Sequence, residues 1–210
     1  MMSFDQAADH CGIVAILRGV TPDEVAGVGD ALYEAGIRIV EVPLNSPEPL
    51  LSIAALVARF QDRMVVGAGT VLDVDSLERV KAAGGQISVS PDCNAEVIGR
   101  AVARGLLPLP GVFTPTEAFA AVRAGARHLK LFPAEAASPK TVKAWKAVLP
   151  RDVKIYAVGG VTPANMREWA DAGCAGFGIG SNIYKPGMSA DDVGKAARGF
   201  VAAWKDLKGN

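Results

Sequence analysis

Short apolar runs recur along the chain roughly every 20 to 30 residues, separated by longer segments of mixed apolar and polar residues. The runs are Ile13 to Leu17, Ile37 to Pro43, Met64 to Thr70, Gln86 to Ser90, Leu106 to Leu109, His128 to Phe132, Lys154 to Val158 and Gly176 to Ile179. Each reads as a buried strand. Helix-start signals lie between them: threonine stands before proline in Thr21-Pro22-Asp23-Glu24, Thr114-Pro115-Thr116-Glu117 and Thr162-Pro163-Ala164-Asn165. Glycine closes several of the intervening helices, at Ala35-Gly36, Ala83-Gly84, Ala124-Gly125 and Ala172-Gly173.

Eight strand-helix units predict an α/β fold, a compact (β/α)8 TIM barrel forming one domain over residues 1–210, with 1–12 as an N-terminal extension or helix. The alternative is an open doubly wound sheet. Its dinucleotide fingerprint is missing, because Gly67-Ala68-Gly69 is followed by Thr70-Val71-Leu72 without the third glycine.

Composition narrows the partners. The chain has 210 residues, half of them hydrophobic, with 22 basic and 22 acidic side chains and no formal net charge. No basic run interleaves with aromatics, so nucleic acid is not the expected partner. No apolar stretch reaches the roughly 18 residues of a membrane span. Met1 to His10 lacks the basic and apolar regions of a signal peptide, and a cytoplasmic location is expected. Cys11, Cys93 and Cys174 are too widely spaced for a zinc knuckle or redox pair and read as reduced structural thiols.

Against this background two charges stand out. Lys130 lies within Leu129-Lys130-Leu131-Phe132-Pro133, and Glu41 within Ile39-Val40-Glu41-Val42-Pro43. Strand alternation puts His128, Lys130 and Phe132 on one face, and Ile37, Ile39, Glu41 and Pro43 on one face of the other strand. Parallel strands covered on both sides rarely hold an unpaired charge. An ammonium in such surroundings loses pKa, which makes the nucleophilic neutral amine accessible. In a barrel, Glu41, Lys130, Arg18, Thr70, Ser90 and Pro110 all fall at or near the C-terminal strand ends, where active sites assemble. The last two strands end in Val158-Gly159-Gly160-Val161 and Gly178-Ile179-Gly180-Ser181. Loops at those positions commonly bind phosphate through exposed backbone N–H groups; the same glycines also serve tight turns that need positive φ.

The segments Val42-Pro43-Leu44-Asn45-Ser46-Pro47, Val66-Gly67-Ala68-Gly69-Thr70-Val71-Leu72, Leu129-Lys130-Leu131-Phe132-Pro133 and Ala157-Val158-Gly159-Gly160-Val161 resemble those of the class I 2-keto-3-deoxy-6-phosphogluconate and 6-phosphogalactonate aldolases. The resemblance runs from about Ile13 to the C-terminus. It implies a phosphorylated keto-sugar acid as substrate, with Lys130 as Schiff-base lysine and Glu41 as general acid/base. It further implies that Arg18 and Thr70 contact the pyruvyl carboxylate or nearby oxygens, that Phe132 and Pro91 shape the wall, and that Gly159, Gly160, Gly180 and Ser181 hold the phosphate. No cofactor and no metal are implied, and the assembly implied is a homotrimer. Asn45 stands where the gluconate enzymes often carry arginine, and Val158 where many carry threonine, which favours the galactonate branch. Phe132-Pro133-Ala134-Glu135 resembles the gluconate branch. A phosphosugar isomerase or epimerase on the same fold, and a non-catalytic phosphosugar-binding barrel, are the competing readings; neither has a use for the chemistry of an interior lysine.

Overall fold

The structure, a computed structural model, describes residues 2–209. Each predicted apolar run carries a strand: β1 (Ile13–Ile16), β2 (Ile39–Pro43), β3 (Val65–Gly69), β4 (Ile87–Val89), β5 (Leu107–Leu109), β7 (His128–Leu131), β8 (Lys154–Val158) and β9 (Gly176–Ile179). One further strand, β6 (Gly111–Val112), was not expected. All the pairings are parallel. The strand β5 bonds to β4, and β6 bonds to β7. Only Pro110 separates the two, and its carbonyl accepts from the Lys130 N–H at 2.8 Å. They are therefore one stave broken at a residue that has no N–H for the ladder. That stave closes the sheet into the expected eight-stave barrel.

Helices alternate with the staves: α1 (Phe4–His10), α2 (Pro22–Ala35), α3 (Pro49–Phe60), α4 (Val74–Ala82), α5 (Ala95–Ala103), α6 (Pro115–Arg123), α7 (Pro139–Lys146), α8 (Met166–Asp171) and α9 (Ala190–Lys208). Thr21 and Thr114 cap α2 and α6 with reciprocal bonds to Glu24 and Glu117, as their sequences predict. The third signal fails. Thr162-Pro163 opens a turn in which the Asn165 side chain takes the Thr162 N–H at 2.9 Å, and the helix begins only at Met166. The four Ala-Gly helix ends carry glycine in the left-handed region.

Alternation divides the apolar side chains between two cores. Leu129, Leu131, Ile155 and Ala157 face the helices. Val14, Ile39, Val65, Ile87 and Tyr156 fill the bore together with Phe4 and Ala8 of α1. The N-terminal segment is thus a plug under the barrel. Asp5 Oδ1 accepts from Lys154 Nζ at 2.7 Å and pairs with His128 Nε2 at 3.1 Å. The Phe4 ring meets His128 edge-on, 4.9 Å between centroids. Burial holds the His128 pKa below its ordinary value against the opposing pull of Asp5. His128 accordingly belongs to the floor.

The upper bore is kept open by glycine. In register, Glu41 stands opposite Gly67, Lys130 opposite Gly111, Tyr156 opposite Gly176 and Val158 opposite Gly178. A Cβ on Gly69 would overlap the Glu41 carboxylate, one on Gly176 the Tyr156 ring, and one on Gly178 the Val158 methyls. Bulky inward side chains therefore fit only because their neighbours have none.

Candidate active site

Lys130 and Glu41 both point into the bore near its C-terminal end, 7% and 2% exposed. Among the described residues the two charges are not in ion-pair contact, and Glu41 Oε2 has no hydrogen-bond partner. Burial raises the Glu41 pKa to about 7, although the Lys130 and Arg18 charges work against it. Burial likewise lowers the Lys130 pKa, opposed by Glu41 and assisted by Arg18. Both groups are pushed toward their neutral forms. The Lys130 ammonium lies 4.6 Å from the centroid of the Phe132 ring, so its tip reaches the level of the strand end. A lysine primed as a neutral amine beside a carboxyl that titrates near neutrality is suited to imine chemistry and proton transfer.

A cleft of about 500 Å³ opens at the C-terminal face. Seven of the sequence-predicted residues line it: Arg18, Phe132, Val158, Gly159, Gly160, Gly180 and Ser181. Gly159 and Gly160 take φ of +107° and +68°, which only glycine adopts without strain. Gly180 has no such constraint, and its α-carbon faces open space apart from Ile16, 3.8 Å from a built Cβ. Lys130 lies one inward position below Phe132 on its stave, beneath the cleft rather than on its rim.

The remaining predicted residues sit around this centre. Asn45 accepts a hydrogen bond from Arg18 Nη1 at 2.6 Å, so these two belong together. Thr70 caps β3 with φ of +58°, a region that β-branched residues seldom enter and that clusters at functional sites. Pro91 is not brought to the main cleft. It lines a smaller depression of about 190 Å³ on the other side of Phe132, which forms a wall of both. Glu135, Tyr184, Lys185 and Pro186 also line the main cleft and were not anticipated. Glu135 lies in a single 3-10 turn (Ala134–Ala136) and the other three in the loop after β9, where strand alternation gives no facing rule. Gly69 was missed for a different reason. Its inward position follows from Glu41 only once β2 and β3 are known to be neighbours, which the sequence does not state.

No group of three or more His, Cys, Asp or Glu side chains among the described residues is arranged to hold a metal. Among the described residues no helix is long and apolar enough to cross a membrane. Cys11 and Cys174 are buried with pKa values pushed up to about 11 and about 12, and no cysteine is paired. They pack as thiols, as the sequence led us to expect.

The family model for KDPG and KHG aldolase matches residues 5–198. The chain is 47% identical to 2-dehydro-3-deoxy-6-phosphogalactonate aldolase of Escherichia coli K12, over 92% of this chain and 95% of that one. Among solved structures, one described as native KDPGal superposes with a TM-score of 0.92 at 46% identity, covering 94% of this chain and 96% of the other. A cube-shaped protein cage designed by fusing symmetric oligomeric domains matches with a TM-score of 0.93 at 46% identity, covering 94% of this chain and 73% of that chain. With the barrel, the interior lysine and a match spanning nearly its whole length, the chain belongs to the KDPG and KHG aldolase family.

Proposed function

We propose that the protein is a class I aldolase that reversibly cleaves 2-keto-3-deoxy-6-phosphogalactonate to pyruvate and D-glyceraldehyde 3-phosphate, without metal or cofactor. The observation that carries this reading is Lys130, buried on the inner barrel face and held toward its neutral form beside an unpaired, buried Glu41. The similarity to the galactonate aldolase supports the substrate.

In this reading the neutral Lys130 amine adds to the C2 ketone, and with one proton taken up from solvent the carbinolamine loses water to give a protonated imine. Ionised Glu41 takes the C4 hydroxyl proton, directly or through a water, as the C3–C4 bond breaks. The electron pair of that bond moves into the enamine, and C4 becomes the aldehyde of glyceraldehyde 3-phosphate. Protonation of the enamine at C3 and hydrolysis of the imine release pyruvate and restore the amine. Arg18, Thr70 and Asn45 serve the carboxylate and nearby oxygens, and Phe132 forms the wall over the imine. The backbone at Gly159, Gly160, Gly180 and Ser181 receives the phosphate. A homotrimer is the proposed assembly. The symmetric oligomeric origin of the similar cage supports an oligomer, and Leu51, Leu72 and Phe113 are exposed apolar side chains that an interface would cover.

Borohydride with pyruvate is expected to fix a pyruvyl adduct on the wild-type chain, and Lys130→Met is expected to abolish both trapping and cleavage. Appreciable cleavage by Lys130→Met would rule out the imine.

Glu41→Gln is expected to reduce turnover by about two to four orders of magnitude, the usual weight of a general acid/base, while imine trapping persists. The base must be ionised, so kcat/KM for cleavage rises with pH through about 7 in the wild type. Glu41→Gln lacks this limb. An unchanged pH profile in the variant would make Glu41 structural.

The epimer preference rests on Val158, an apolar wall residue 6% exposed at the cleft. Galactonate and gluconate substrates differ at the C4 hydroxyl alone, and a pocket wall without a hydroxyl partner discriminates them modestly. Side-by-side cleavage is expected to favour the galactonate epimer, with the gluconate epimer still turned over. Faster cleavage of the gluconate epimer would reverse the assignment.

Gly180 offers a clean test of the phosphate end, because a side chain there meets no strained backbone and little besides Ile16. Gly180→Val is expected to raise the substrate KM sharply and to leave pyruvate imine formation at Lys130 intact. The unphosphorylated sugar acid is a poor substrate for the wild type on this reading. If Gly180→Val impairs both substrates equally, the phosphate lies elsewhere.

A further inference from the structure

Arg18 and Gly19 follow the last ladder bond of β1, donated by the Leu17 N–H to the Glu41 carbonyl at 3.0 Å. Beyond that bond the chain turns toward α2, and Arg18 is exposed at the cleft wall. A free arginine at such a place samples many rotamers, and ordering it when an anion binds subtracts from the affinity.

The turn is nevertheless held from three sides. Asn45 Oδ1 accepts from Arg18 Nη1 at 2.6 Å. The next residue, Ser46, is buried, and its Oγ accepts from the Gly19 N–H at 2.9 Å. Gly19 has φ of +84°, and the Pro186 ring occupies the place where its Cβ would be, 2.7 Å from that position. Adjacent residues of the loop after β2 thus grip adjacent residues of the loop after β1, and the loop after β9 closes over the third side. The Gly19 amide is one peptide from the Arg18 α-carbon, so fixing it fixes the base from which the side chain leaves.

We propose that Ser46 is a positioning residue: with Asn45 it clasps the Arg18-Gly19 turn and sets the Arg18 guanidinium in advance at the cleft wall, where it meets an anionic group of the substrate. The proposal rests on the reading of Arg18 as an anion contact given above. Ser46 touches no substrate atom in this scheme and acts through Arg18 alone. The Arg18 charge also bears on both Lys130 and Glu41, so the clasp fixes the distance from which it does so.

The test is steady-state kinetics on Ser46→Ala, Ser46→Thr, Arg18→Met and the Arg18→Met/Ser46→Ala double variant, with thermal midpoints alongside. Arg18→Met is expected to raise the KM by about 10- to 100-fold, the weight of a charge-assisted contact. Ser46→Ala is expected to raise it by about 3- to 10-fold, as for one neutral hydrogen bond, with kcat held within about twofold. Ser46→Thr keeps the hydroxyl acceptor and restores the KM. The double variant is no worse than Arg18→Met within about twofold, because a positioning residue has nothing left to position. An unchanged KM in Ser46→Ala, or a full additional increase in the double variant, overturns the positioning role and leaves Arg18 as an anion contact. An unchanged KM in Arg18→Met overturns both. Should Ser46→Ala fail to fold, Ser46→Cys, a weaker acceptor of similar size, stands in, with a KM increase that vanishes in the Arg18→Met background as the expected result and an additive one as the contrary.

Discussion

Desolvation of Lys130 and Glu41 within one bore is the constraint on which the site depends. In water the lysine would be an ammonium and the glutamate a carboxylate, useless as nucleophile and weak as acid. Burial penalises both charged forms, and the bore supplies no ion-pair contact to compensate. The two groups therefore moderate one another only through space, each opposing the other's shift toward neutrality. A direct salt bridge would lock the ammonium in place and remove the nucleophile.

Such an arrangement needs room for two long side chains in a space that barrels ordinarily fill with layers of branched residues. Glycine provides it. Gly69 leaves space for the Glu41 carboxylate, while Gly67 and Gly111, the register partners of Glu41 and Lys130, let the Ile87 and Pro91 backbone approach closely. Lower down, Val14, Ile39, Val65 and Ile87 pack conventionally, and α1 seals the floor with Phe4. The bore is thus dense at one end and hollow at the other. The cleft and the glycine-rich loops lie at the hollow, C-terminal end.

Much of this is legible in the chain, and the limit is physical. Wherever a residue lies in a strand, the period of two assigns its face, which is why Lys130, Glu41 and Val158 come out inward. The same rule applies to Gly67-Ala68-Gly69 and to Gly176-Phe177-Gly178, whose alternate glycines mark the inner face. The rule stops at strand ends. The Arg18–Asn45 bond spans two loops 27 residues apart, and the grip of Asp5 on His128 spans 123. Neither leaves a local trace. Pro91, placed by resemblance in the wall, shows how a loop residue next to a strand end can turn to the far side of its neighbour Phe132. At Thr162-Pro163 the capping pattern is present, and Asn165 accepts from the Thr162 N–H as Glu24 and Glu117 do for their threonines, yet the regular helix begins only at Met166.

The division of labour between staves and loops bears on how such a site can change its substrate. In the proposed mechanism imine formation is set by residues whose position follows from the hydrogen-bond ladder, so it is insensitive to loop sequence. Recognition of the anionic ends, on the same reading, falls to loops held by separate contacts, Asn45 and Ser46 on one side and Pro186 on another. Substituting a loop residue then alters which hydroxyl or anion is preferred without moving Lys130. Val158 lies at the join, the last residue of its stave and a lining residue of the cleft. On the proposed reading a change there keeps the ladder intact, alters one methyl in the wall and shifts the preference between the two sugar-acid epimers.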